Sequence, residues 1–148
     1  MTSAALVEAI REGWGWKGIE PDAVTAISPF GHLIVRDAKK AFWYLDPELR
    51  TLEQVATDEA GLFTHMREPD VREVWEARAL VDAAHARLGD PATGRCYTLN
   101  TLALLRGDYG HDNLCTMPVE ELILFTGDFE RQTHELPEGA QVQLKVVE

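Results

Sequence analysis

Basic residues are scarce in this chain, and that scarcity narrows its function before any motif is read. Fourteen Lys and Arg stand against 25 Asp and Glu, a formal net charge of −11. Nucleic-acid binding depends on Lys and Arg that neutralise phosphates, so direct action on DNA or RNA is disfavoured. Cysteine is almost missing: Cys96 and Cys115 are the only two, with no CxxC pair and no Cys/His set at zinc spacing. Both are expected to be reduced thiols serving as small buried apolar residues, and no metal or other cofactor is expected. Apolar runs such as Leu102–Leu105 and Leu122–Phe125 are far too short to span a bilayer. Residues 2–16 lack a basic n-region, and Glu8 and Arg11 break their apolar run. The expectation is a soluble, cytoplasmic protein with no membrane partner.

Catalytic signatures are lacking as well. None of the five histidines (His32, His65, His85, His111, His134) lies in HExxH, and neither a P-loop nor a G-x-S-x-G elbow occurs. Residues 13–18, GWGWKG, fit G-x-G-x-x-G in letters alone. A dinucleotide fingerprint needs a strand before it and a helix after it. Here a helical pattern precedes, Pro21 follows, and two indoles would crowd a pyrophosphate. The stretch reads as a turn with two tryptophans seeking the core.

What is present describes an ordinary globular chain. With 148 residues, 45% of them apolar, it suits one domain over residues 1–148, able to bury roughly two thirds of its unfolded surface. Residues 3–12 read as a short helix with Leu6 and Ile10 on one face. From Val24 to Ala56 four short segments, VTAIS, HLIVR, AFWYL and TLEQVA, alternate with turn residues at 29–31, 37–40 and 46–50, the pattern of an antiparallel meander. Within it Trp43 faces one way and Phe42 and Tyr44 the other, so both faces of that sheet are expected to be covered. Residues 70–88 read as one helix, with Asp70 and Glu73 as a capping box, a stripe of Val74, Ala77, Val81, Ala84 and Leu88, and Gly89 as the stop. RCYTL (95–99) reads as a strand and TLALL (101–105) as an extended or looped run. A second helix starts around Thr116 and Pro118, carries Glu120 and Glu121 in its first turn, and shows Leu122, Phe125 and Phe129 as an apolar face. QVQLKVV (141–147) alternates as a closing strand. The fold class is α+β: a mainly antiparallel sheet, an N-terminal meander plus C-terminal strands, flanked by two longer helices and a short N-terminal one.

One loop gathers chemistry-bearing residues. RGDYGHDN (106–113) contains an Arg-Gly-Asp tripeptide together with Tyr109, His111 and Asp112, three residues before Cys115. An adhesion signal does not suit a cytoplasmic chain, and the tripeptide is common by chance. A Cys115–His111 nucleophile needs an electropositive setting, whereas the local field is acidic. Residues 107–148 carry net charge −7, against −4 for the first 106 residues. The acidic end is either a solvated face or a surface for a basic partner.

The chain resembles the type VI secretion immunity-protein family, partners of DNase effectors, a domain of unknown function often found behind a GAD-like domain. The residues carrying the resemblance are WGWKGIEP (14–21), SPFGHLIVRDAKKAFWYLDPE (28–48), GRCY (94–97), Gly107-x-Tyr109-x-x-x-Asn113, and the run from Glu121 to Val146. In that run Gly127-Asp128, Gln132 and Leu136-Pro137-x-Gly139 weigh most. LALLRG (102–107) stands where the family usually has a proline and a paired glycine, and no GAD-like domain occurs in these 148 residues. The resemblance implies a non-enzymatic antitoxin whose partner is a cognate toxin, a nuclease with a basic cleft. Asp108, Tyr109, His111, Asp112, Glu120 and Glu121 then become the candidate contact residues, and no catalytic residue carries over. An intracellular interaction or regulatory module with a non-toxin partner is the alternative.

Overall fold

A computed structural model describes residues 3–99 and 113–134 of the chain. The expected run at 101–105, residues 106–112 of the loop, and the closing strand at 141–147 lie outside the described residues. Helix α1 (Ser3–Trp14) passes through a single 3-10 turn, Gly15–Lys17, into a meander of β1 (Pro21–Ile27), β2 (Leu33–Asp37), β3 (Phe42–Asp46) and β4 (Thr51–Ala56). The four strands pair antiparallel in chain order. Two of the turns share one device. Asp37 ends β2 and its Oδ1 accepts the backbone N–H groups of Lys39 and Ala41; Asp46 ends β3 and its Oδ1 accepts those of Glu48 and Leu49. These side chains supply the acceptors that a tight turn leaves missing. Lys40 and Arg50 follow at φ 67° and 57°.

The sheet is covered on both faces, as the aromatic run requires. On one face Leu33, Val35, Leu45 and Leu52 are buried with Leu6, Ile10 and Trp14 of α1. On the other face Tyr44 meets Trp75 edge to face, ring centroids 5.8 Å apart. Trp14 is wholly buried, whereas Trp16 is half-buried and stacks on it at 6.5 Å.

Beyond the meander the helices differ from the expectation. A helix absent from the sequence reading, α2 (Glu59–Met66), is capped by Asp58, whose Oδ1 accepts the Gly61 N–H at 2.7 Å. It buries no residue, so its apolar side chains mark no face. Residues 70–88 form two helices, not one: α3 (Pro69–Glu76) and α4 (Arg78–Leu88), separated by Ala77 in the left-handed region at φ 43°, ψ 46°. Nor does Asp70 cap; Pro69 opens α3, where its missing N–H costs nothing. The break has a packing cause. Trp75 of α3 is drawn to Tyr44 of the meander, while Leu80, Val81 and Ala84 of α4 pack with Phe30, Tyr97, Leu99 and Leu114. Of the stripe, Ala77, Val81 and Ala84 join this second core, while Val74 and Leu88 stay exposed.

Strands β5 (Arg95–Leu99) and β6 (Leu114–Pro118) form an antiparallel pair, so Thr116 and Pro118 belong to a strand that feeds straight into helix α5 (Val119–Thr133). α5 crosses α1 at a point with no room for a side chain. A Cβ on Gly127 would lie 2.3 Å from the Gly13 carbonyl oxygen. Beside the crossing, the Trp14 indole donates to the Ile123 carbonyl at 3.1 Å. The inward positions of α5 include Val119, Leu122, Ile123, Thr126 and Phe129. Thr126 sits where an apolar residue would be expected, its hydroxyl donating to Leu122 O at 2.7 Å. Phe125 is turned outward instead and is 42% exposed.

Candidate partner-binding surfaces

Of the six candidate contact residues, Asp108, Tyr109, His111 and Asp112 lie outside the described residues. Glu120 and Glu121 occupy the first turn of α5, where negative charge complements the helix dipole. Glu120 is half-buried and Glu121 exposed, and their backbone is held by the buried Val119, Leu122 and Ile123. Helical spacing puts Glu121, Phe125 and Asp128 in one outward row, all three exposed. The sequence pattern had given Phe125 to the core; its outward position leaves an exposed ring between Glu121 and Asp128, the latter paired with Arg131.

A second concavity arises from the meander's register. Leu33 pairs with Leu45 and Ile34 with Tyr44, so His32 falls beside Asp46 on the Tyr44 face. His32 is 2% exposed. Its Nδ1 lies 2.8 Å from the Tyr44 hydroxyl, and its Nε2 lies 2.8 Å from Glu48 Oε1 and 3.5 Å from Asp46 Oδ1. Burial, then the charges of Asp46 and Glu48, push the Tyr44 phenol far up, so it remains a neutral hydroxyl. Burial also holds the Asp46 carboxyl above its ordinary value, with the His32 charge working against it. This network floors a groove of about 970 Å³ whose walls include Leu49, Pro69, Val74 and Leu80. No single segment advertises it; His32 and Asp46 are brought together only by strand pairing and turn length.

His32 is the centre of this network. Both of its ring nitrogens are engaged, Nδ1 by the half-buried Tyr44 hydroxyl and Nε2 by the half-buried Glu48 carboxylate. Both thiols are free. Burial, then the neighbouring Cys115, push Cys96 up to about 12; burial also raises Cys115, which is half-buried rather than buried as expected. Thiols held above neutrality are poor nucleophiles. Among the described residues, no cluster of three His, Cys, Asp or Glu is arranged to hold a metal ion, and no helix is long and apolar enough to cross a membrane.

Three comparisons bear on this geometry. The chain is similar in structure to Atu4351 from Agrobacterium tumefaciens, with a TM-score of 0.64 at 10% identity over 86% of this chain. It spans 65% of that protein's length, and at such identity the likeness speaks for the fold alone. No curated protein matches the chain in sequence. Residues 56–130, from the end of β4 into the last turns of α5, match the family described as T6SS immunity protein Tdi1, C-terminal. That stretch takes in GRCY and Gly127-Asp128 and leaves out the N-terminal motifs at 14–48. Covering just over half of the chain, the match shows that it belongs to the type VI secretion immunity-protein family of Tdi1.

Proposed function

We propose that this protein is a non-enzymatic antitoxin of the cytoplasm that binds a nuclease effector of type VI secretion and blocks its nucleic-acid cleft. Membership of the immunity family carries the reading, because such proteins act by holding a cognate effector. The charge of the chain supports the finer part. A nuclease gathers positive charge where phosphates bind, and a protein of net charge −11 is drawn to that site. On α5 the row of Glu121, Phe125 and Asp128 joins steering charge to an exposed aromatic ring, the residue type that anchors interfaces. Asp108, Tyr109, His111, Asp112 and Glu120 are the further contact residues of the proposal.

The test is co-expression with a type VI effector encoded beside the gene. Cells making the effector alone should lose chromosomal DNA and die; cells making both proteins should survive and yield a complex on purification. The purified protein alone should leave DNA and ester or peptide substrates intact. Protection without complex formation would overturn the antitoxin reading. A lethal effector that leaves nucleic acid uncut would overturn the nuclease part of it.

A further inference from the structure

The groove beneath α3 has no role that the family match assigns. Helix α3 buries none of its residues, although its Val71, Val74 and Trp75 form an apolar face. Val74 is 51% exposed and Leu49, across the groove on the β3–β4 turn, is 67% exposed. Exposed apolar side chains that converge on one concavity mark a binding surface rather than incidental exposure.

The charges around the groove are sorted by depth. The carboxylates of Asp46 and Glu48 lie on its floor with side chains 7% and 15% exposed. The guanidinium groups of Arg72 and Arg78 stand at the rim, 62% and 77% exposed, and both bridge to Glu76, at 3.2 and 3.0 Å. Arg67 lies over the Phe63 ring at 5.2 Å. Deep charges act through a lower dielectric than rim charges, so the two carboxylates, with His32 bound between them, weigh more on what enters than the rim guanidinium groups. A side chain with an apolar stem and a cationic tip is complementary to such walls and such a floor.

Resting on the antitoxin reading, we propose that this groove receives a Lys or Arg side chain from the effector, its stem against Val74 and Leu49 and its tip directed to Asp46 and Glu48. The α5 row steers the encounter, and the groove sets the lifetime of the complex. A basic effector is rich in such side chains, and buried Arg anchors recur among interface hot spots.

Kinetics of the purified effector on immobilised protein test this. Val74→Arg fills the mouth with bulk and like charge at a position exposed enough to leave the fold intact; Glu48→Gln weakens the floor with little change of shape. Each variant is first checked for a wild-type circular dichroism spectrum and urea midpoint. Dissociation should accelerate roughly tenfold or more for Val74→Arg and several-fold for Glu48→Gln, with association little changed. One Lys or Arg to Gln change in the effector should weaken binding to the wild type but not to Glu48→Gln. Wild-type dissociation rates in both folded variants would overturn the groove assignment while leaving the antitoxin reading in place. Failure of the wild type to bind the effector would overturn both. If Val74→Arg instead turned a wild-type dimer into a monomer without touching effector kinetics, the occupant would be a second copy and the proposal would fall.

Discussion

Gly127 sits where the packing of α5 on α1 leaves no space for a side chain. Its hydrogen is all that separates α5 from the Gly13 carbonyl of α1, and a Cβ there would approach the Gly13 carbonyl carbon to 2.6 Å and the Trp14 ring to 2.8 Å. Backbone cannot yield as a side-chain end can, so Gly127→Ala should cost at least about 1–3 kcal/mol, the usual penalty of overpacking. Gly15→Ala is the control, since a Cβ there meets nothing within 4 Å. It should be neutral or stabilising by up to about 1 kcal/mol through the unfolded chain. Urea unfolding of the two variants separates these outcomes, and equal midpoints would refute the crossing. Asp37 provides a pH-dependent case. Burial raises its carboxyl, but hydrogen bonds from the Trp43 indole at 2.8 Å and the backbone N–H groups of Ala41 and Lys39 more than offset this, so it titrates below its ordinary value. A depressed carboxyl stabilises the fold above the unfolded pKa of about 3.9 and loses that contribution as pH falls through the folded value. Asp37→Asn, whose amide would face the Trp43 N–H, should cost about 1.5–3 kcal/mol at neutral pH. Unfolding midpoints over a pH series should show that gap closing on the acid side of the window. A gap independent of pH would mean that packing, not charge, is what Asp37 supplies.

Elements were legible in the sequence wherever a period and a turn agreed. The meander announced itself because VTAIS, HLIVR, AFWYL and TLEQVA are rich in β-branched and aromatic residues and are separated by turn residues, Asp37 and Asp46 among them. α2 did not, because a helix with no buried residue carries no stripe to read. The split of residues 70–88 was hidden for the opposite reason: Val74, Ala77 and Val81 keep helical spacing across the break, and periodicity cannot tell that Val74 is exposed while Ala77 and Val81 pack inward. Ala77 holds the strain of that division, with its N–H still donating to Glu73 O at 2.9 Å. The left-handed region costs a Cβ-bearing residue roughly 1–2 kcal/mol, slightly more than the entropy glycine brings at about 0.5–1 kcal/mol. Ala77→Gly should therefore be neutral or mildly stabilising, whereas Ala77→Val should lose more than about 1 kcal/mol. Thermal unfolding of both variants checks this. A stabilising valine would mean that α3 and α4 join as one continuous helix. The groove shared by α3 and the β3–β4 turn escaped the sequence reading too, because it depends on register. His32 and Asp46 are fourteen residues apart in the chain and have no motif in common.

Charge on the whole molecule ties these parts to function. The excess of acid after Gly107 was legible from composition alone, and Glu120 and Glu121 fall in the first turn of α5 as that reading required. What composition could not reveal is how rigidly they are presented: buried Val119, Leu122 and Ile123 fix the backbone from which both carboxylates project. A fixed, one-signed surface raises the rate at which an oppositely charged partner arrives, and the effect fades as salt shortens the Debye length from about 10 Å at 0.1 M. The positive end of α5 offsets part of the charge of the two glutamates, so the steering is moderate. Replacing both by lysine should slow association with the effector by tenfold or more at low salt and flatten its salt dependence, while dissociation changes less. The fold should survive, because first-turn surface changes cost under about 1 kcal/mol. Stopped-flow association over a series of salt concentrations, with the urea midpoint as a check on folding, measures this directly. A folded Glu120→Lys, Glu121→Lys variant that associates and protects cells like the wild type at low salt would mean that α5 does not face the effector. Its carboxylates would then serve only to keep an acidic surface hydrated.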